Sequence, residues 1–122
     1  MMHFREAQRK PALLPEFQGN VVAVETAPFW DDEMEALQER WDRMHHELNQ
    51  RFEKTPDLGD EAKEKQREAA IAKTFTPQEL QLLKGISNGG YHYLGAAKIL
   101  APVGKAFAVE SLKLLEARRA KK

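Results

Sequence analysis

One histidine stands where an imidazole could act as a base. His92 follows the glycine-rich segment 87–90 (SNGG) and precedes a helical pattern. Enzymes with an α/β fold often hold functional side chains at such loop-to-helix junctions. A neutral imidazole there could take a proton from a serine nucleophile. The alternative is a structural role, in which His92 caps the final helix or hydrogen-bonds a nearby carbonyl. For a single histidine, the spacing alone favours that alternative.

A histidine base needs an orienting carboxylate, and Glu25 is the candidate. Glu25 lies at the carboxyl end of a predicted strand, where the active sites of α/β proteins gather. The alternative is a carboxylate in water or in a salt bridge. Asp31 and Asp32 follow in the next loop, where capping the next helix is their simpler role.

No serine of this chain stands in a nucleophile motif. Ser111 falls within a predicted helix, and Ser87 precedes His92 without a G-x-S-x-G or Gly-Asp-Ser context. His45 and His46 are neighbours on a predicted helix and diverge by about 100 degrees, which does not suit one metal ion. The chain has no cysteine, which excludes disulfides and thiolate metal sites. We therefore expect neither a metal nor a cofactor.

One short strand is predicted near residues 20–25. The run VVAV at 21–24 is continuously apolar, with a turn signal before it and Pro28 after it. Continuous runs are typical of strands buried on both faces of a parallel sheet. Because a strand needs neighbours for its backbone groups, we expect partner strands from a larger domain or from a second copy. A short strand packed on helices, or a helical segment, is the alternative.

Helical patterns fill the rest of the chain. An amphipathic stripe begins after Asp32, the predicted N-cap, and consists of Met34, Leu37, Trp41, Met44, Leu48 and Phe52. Residues 60–73 predict a second, highly charged helix, and Thr76 with Pro77 and Glu79 predicts a capping box. The last helix is predicted to run to about Arg118, with a kink at Pro102.

Composition narrows the classes of function. The 122 residues, 14.0 kDa, suffice for one domain at most. Nineteen basic and nineteen acidic residues balance, so no net charge favours nucleic acid or an anionic membrane. No apolar run is long enough to span a bilayer, and the first residues lack the apolar core of a signal peptide.

Two blocks of the sequence resemble a known enzyme family. Residues 5–33, REAQRKPALLPEFQGNVVAVETAPFWDDE, and residues 86–109, around SNGGYHYLGAAKILAPVGKAFA, are similar to the C-terminal part of SGNH-type carbohydrate esterases of the sialate O-acetylesterase-like group. The resemblance implies an α/β fold of three layers, α/β/α. In it, residues 1–122 would be the C-terminal portion of one domain, with a charged helical insertion at about 31–74.

The resemblance implies a serine hydrolase that deacetylates sugars without a metal. In it, His92 matches the family's base, and an acetylated carbohydrate would be the substrate. The family's Gly-Asp-Ser block has no counterpart here. Gly89 also stands where the family has an aspartate three residues before the histidine, so we expect the chain alone to be inactive. Related full-length enzymes are often secreted or periplasmic. The alternative is a small helical protein-interaction module without catalysis, whose stripe at 34–52 pairs with a partner helix or with itself.

Overall fold

Helices and turns make up the described backbone. The computed structural model describes residues 2–120, with side chains from residue 3 onward. The α-helices in this range are α1 Met2–Arg9, α2 Asp32–Glu53, α3 Asp60–Thr74, α4 Pro77–Leu83 and α5 Ala97–Arg119. Short 3-10 turns cover Lys10–Leu13, Pro15–Phe17, Ala27–Phe29 and Gly90–Gly95. The predicted helical character is thus confirmed.

The predicted α/β fold class is wrong. No β-strand occurs in residues 2–120, and residues 21–26 have no regular secondary structure. Val21 and Val22 are each 37% exposed, so the run is not buried on both faces. The Val21 N–H donates to the Phe17 carbonyl oxygen of the preceding turn instead of to a strand. A local apolar run favours a strand only where a neighbour supplies backbone partners, and the described chain supplies none.

The chain divides into two units. The first contains Met1–Trp30 and Lys98–Lys122, and the second contains Asp31–Ala97. In the first unit, the Arg118 guanidinium donates to the Gly19 carbonyl oxygen at 3.2 Å and to the side-chain oxygen of Asn20. These contacts join the last turn of α5 to the turn at residues 18–20.

The second unit is built around the stripe of α2. Helix α2 packs against α3 and α4. The buried core cluster consists of Leu37, Met44, Leu48, Phe52 and Phe75. Each such side chain contributes roughly 1.5–3 kcal/mol when buried. The stripe is therefore covered by helices of its own unit. Self-association of the chain, which we predicted in part from this stripe, is not needed to bury it.

Local capping fixes where α2 and α4 begin. Asp31, and not the predicted Asp32, caps α2, because the Met34 N–H donates to Asp31 Oδ1 at 2.9 Å. The capping box predicted for α4 is confirmed. The Thr76 N–H donates to Glu79 Oε2 at 2.7 Å, and the Glu79 N–H donates to Thr76 Oγ1 at 3.2 Å.

Candidate binding cleft and the His92 loop

The second unit has a cleft of about 770 Å³ that opens to solvent. Helices α2, α3 and α4 and the segment that follows α4 form its walls. The lining residues are Gln38, Trp41, Asp42, Ile71, Leu80, Leu83, Lys84, Ile86, Ser87, Asn88 and Gly89. A concave, mainly apolar site with a few polar groups is the usual form of a ligand-binding site, and this volume is in the usual range.

The floor of the cleft is apolar. Trp41, Ile71, Leu80 and Leu83 are half-buried and pack on the core cluster with one side. The Trp41 ring lies 5.6 Å from the ring of Phe75, measured between centroids. Its position at the edge of the α2 stripe explains why one part of the ring meets the core and another part lines the cleft. The stripe therefore supplies both the core and the floor.

The rim of the cleft is polar and carries one charge of each sign. On α2, Gln38 Nε2 donates to Asp42 Oδ1 at 2.8 Å, which holds that carboxylate in place. Lys84 follows the C-terminus of α4. Both Asp42 and Lys84 are exposed. A ligand in this cleft would meet an anion on the α2 wall and a cation on the α4 wall.

An arginine on α2 ties the α4 wall to the core. Arg40 Nη1 donates to Glu79 Oε1 at 2.6 Å, and Arg40 Nη2 donates to the Thr74 carbonyl oxygen at 2.8 Å. Its guanidinium also lies 5.1 Å from the centre of the Phe75 ring. The backbone N–H of Thr76 and the Arg40 guanidinium both lower the pKa of Glu79 below its ordinary value of 4.5, since both favour the carboxylate.

The loop after α4 folds back on itself. The backbone N–H groups of Ser87 and Asn88 both donate to the Leu94 carbonyl oxygen, at 2.9 and 3.1 Å. Tyr93, Leu94 and Gly95 have φ angles of +54°, +57° and +56°. Left-handed backbone costs a non-glycine residue about 1–2 kcal/mol, so two residues of this loop are strained. Leu94 is only 1% exposed, and its burial offsets the strain.

His92 lies in this loop but not on the cleft lining. Its backbone N–H donates to the Gly89 carbonyl oxygen at 3.0 Å, and its exposed ring lies 4.5 Å from that of Tyr91. Among the described residues, no hydrogen bond or ion pair of the imidazole is present. The Ser87 hydroxyl donates to the Gly95 carbonyl oxygen at 3.0 Å. The role of His92 as a base stays a prediction.

Glu25 forms an ion pair with Arg9, as the alternative to an orienting role predicted. Its Oε1 lies 3.3 Å from Arg9 Nη2, and both side chains are more than half exposed. Glu25 belongs to the first unit and His92 to the second. The Glu25–His92 pairing of a catalytic triad therefore stays a prediction as well.

The remaining histidines of α2 have local partners. His45 Nδ1 lies 3.0 Å from the Trp41 carbonyl oxygen, and the His46 ring hydrogen-bonds Gln50 Nε2 at 2.9 Å. In the part of the chain that the structure describes, no group of three or more side chains is placed to hold a metal ion. None of the described helices is both long enough and apolar enough to cross a bilayer.

No protein-family model matches this chain, and neither a curated protein nor a solved structure matches it at a significant level. The resemblance to carbohydrate esterases therefore stays an expectation from the two quoted blocks.

The cleft was not found by sequence reasoning. Its floor combines Trp41 of α2 with Leu80 and Leu83 of α4, which lie about forty residues further along the chain. The one available signal was Trp41 itself, a large ring at the edge of a stripe that is otherwise built from Met, Leu and Phe. A pattern along one helix does not reveal which second helix completes the wall.

Proposed function

We propose that the unit Asp31–Ala97 is a helical binding module whose cleft holds a short amphipathic segment of a partner protein. The observation that carries this proposal is the cleft itself, an apolar floor between an anionic and a cationic rim. Helical grooves of this kind take up the apolar side chains of a peptide, and charged residues at the rim select its orientation.

The chemistry of the rim defines the partner segment. One or two large apolar side chains of the segment would cover the Trp41 ring and the leucines of α4. A basic side chain on one flank would meet Asp42, and an acidic side chain on the other would meet Lys84. The ion pair between Arg40 and Glu79 joins α2 to α4, and such a link between two walls lowers the ordering cost of binding.

The carbohydrate esterase function stays a prediction from the resemblance alone. The residue of this chain that the resemblance assigns to catalysis is His92, and its imidazole is exposed to solvent. We place binding ahead of catalysis, because the described residues provide a formed cleft but no serine in a nucleophile motif.

A displayed peptide library selected against the full chain tests the binding function. Affinity for a selected peptide can be measured by fluorescence in a Trp30→Phe background, which leaves Trp41 as the single tryptophan. We expect Asp42→Lys to weaken binding of peptides that carry a basic residue, and exchange of that residue for an acidic one to restore it. Lys84→Glu should weaken binding of peptides that carry an acidic residue, and exchange of that residue for a basic one should restore it.

Matched charge reversals outside the cleft provide the control. Glu39→Lys on α2 and Lys73→Glu on α3 change the same charges at exposed positions that do not line the cleft. They should leave affinity unchanged. The proposal fails if selected peptides bind the cleft variants and the control variants equally, or if no selected peptide changes Trp41 fluorescence.

A further inference from the structure

We infer that Asn88 is a site of spontaneous deamidation, which converts a neutral side chain on the rim of the cleft into a carboxylate. Asn88 is exposed and is followed by Gly89, which has no side chain of its own to hinder attack by its backbone nitrogen on the Asn88 amide. The inference does not depend on what the cleft binds.

A hydrogen bond holds the two reacting groups next to each other. The Gly89 N–H donates to Asn88 Oδ1 at 2.8 Å. Because Cγ is bonded directly to Oδ1, the Gly89 nitrogen and Cγ are at most about 4 Å apart, close to the separation of a near-attack geometry. Among the described residues, no other acceptor engages this N–H. The Gly89 nitrogen can therefore attack without loss of a hydrogen bond to a backbone carbonyl.

The other two asparagines lack this arrangement. After Asn20 comes the β-branched Val21, whose N–H is engaged by the Phe17 carbonyl oxygen. Asn49 lies within α2, where the following N–H belongs to the helical hydrogen-bond ladder. The rates of deamidation at Asn20 and Asn49 therefore serve as internal references for the rate at Asn88.

The chemical step needs only water. The Gly89 nitrogen loses its proton and bonds to Cγ of Asn88, the bond from Cγ to Nδ2 breaks, and ammonia leaves with the proton. The product is a five-membered succinimide. Water then opens the ring at Cγ, which gives aspartate, or at the main-chain carbonyl carbon, which gives isoaspartate. Each outcome adds one carboxylate to the rim that Asp42 and Lys84 share.

Peptide mapping by mass spectrometry of the folded full chain, incubated at mildly alkaline pH, tests the inference. We expect a mass increase of about one dalton, with isoaspartate, at Asn88 before any change at Asn20 or Asn49. Gly89→Ala should slow the reaction severalfold, because the added methyl group hinders the approach. The new Cβ would lie 3.1 Å from the exposed Tyr91 ring, which can move aside.

Two controls separate the loop geometry from general instability. Gly59→Ala, at a site with no atom within 4 Å of the new Cβ, should leave the rate at Asn88 unchanged. Circular dichroism should show that Gly89→Ala retains the helical spectrum. Equal rates at the three asparagines, an unchanged rate in Gly89→Ala, or modification only in urea-unfolded chain would each overturn the inference.

Discussion

At the scale of single residues, the loop after α4 contains three left-handed positions, Tyr93, Leu94 and Gly95. Gly95 has a φ of +56°, and a Cβ at this position would overlap the Ser87 hydroxyl. The same hydroxyl donates to the Gly95 carbonyl oxygen. A glycine is therefore required both by the backbone angle and by the close approach of the two ends of the loop.

Gly95→Ala should destabilise the protein by roughly 1–3 kcal/mol, because left-handed backbone and overlap with Ser87 add together. Urea unfolding measures the change. Gly104→Ala is the matched control, since this exposed glycine lies inside α5 with open space around it. That variant should instead gain up to about 1 kcal/mol from helix propensity. An equal effect of both substitutions would show that the loop is not strained as described.

His92→Ala should change the free energy of unfolding by less than about 0.5 kcal/mol, because the imidazole is exposed and, among the described residues, its ring contact is with Tyr91, which is also exposed. We also expect the chain to hydrolyse an activated acetyl ester no faster than free imidazole does, since among the described residues no hydroxyl hydrogen-bonds the ring and Ser87 donates to the Gly95 carbonyl oxygen instead. Esterase assays of both forms measure this. Stoichiometric acetylation of Ser87 that disappears in His92→Ala would contradict it.

At the scale of elements, signals contained in a few neighbouring residues were predictable from sequence. The capping box at Thr76 and Glu79 is confirmed, because both of its hydrogen bonds form within one turn. The stripe of α2 is likewise buried as its spacing predicts.

Features that depend on distant residues were not predictable. The run VVAV carries the same local signal whether or not a partner strand exists, so the sequence pattern led to a wrong fold class. The walls of the cleft are also set by packing between helices, which no single stretch of sequence encodes. Similarly, the left-handed backbone at Tyr93 and Leu94 accompanies the burial of Leu94, which its neighbours in sequence do not predict.

The capping box also predicts how stability depends on pH. The pKa of Glu79 is lowered in the folded chain, mainly by the Thr76 backbone N–H and then by Arg40. Its contribution to stability is therefore present above the ordinary value of 4.5 and is lost as pH falls below it. Urea midpoints across this range should show that Glu79→Gln is less stable than the native chain at neutral pH.

In these measurements the difference between the native chain and Glu79→Gln should shrink as the pH falls below 4.5. Thr76→Ser is the control for the capping box, since it keeps both the hydroxyl acceptor and the backbone donor. It should retain the native pH dependence. A difference between Glu79→Gln and the native chain that is constant with pH would rule out the stated cause.

At the scale of the whole molecule, the chain consists of two units, and the second contains its own core and its own cleft. Three helices and the segment after α4 form the cleft, and Arg40 on α2 pairs with Glu79 on α4. We propose that this unit presents a preformed, amphipathic binding site. A binding event should therefore change the cleft without requiring the unit to refold.

The most direct test of that claim is an NMR titration of the full chain with a selected peptide, read at the indole N–H resonances of its two tryptophans. Trp41 lines the cleft, and Trp30 belongs to the other unit. We predict that the Trp41 resonance shifts in a saturable manner while the Trp30 resonance stays in place. A shift at Trp30 alone, or saturable binding that leaves Trp41 unmoved, would contradict the account.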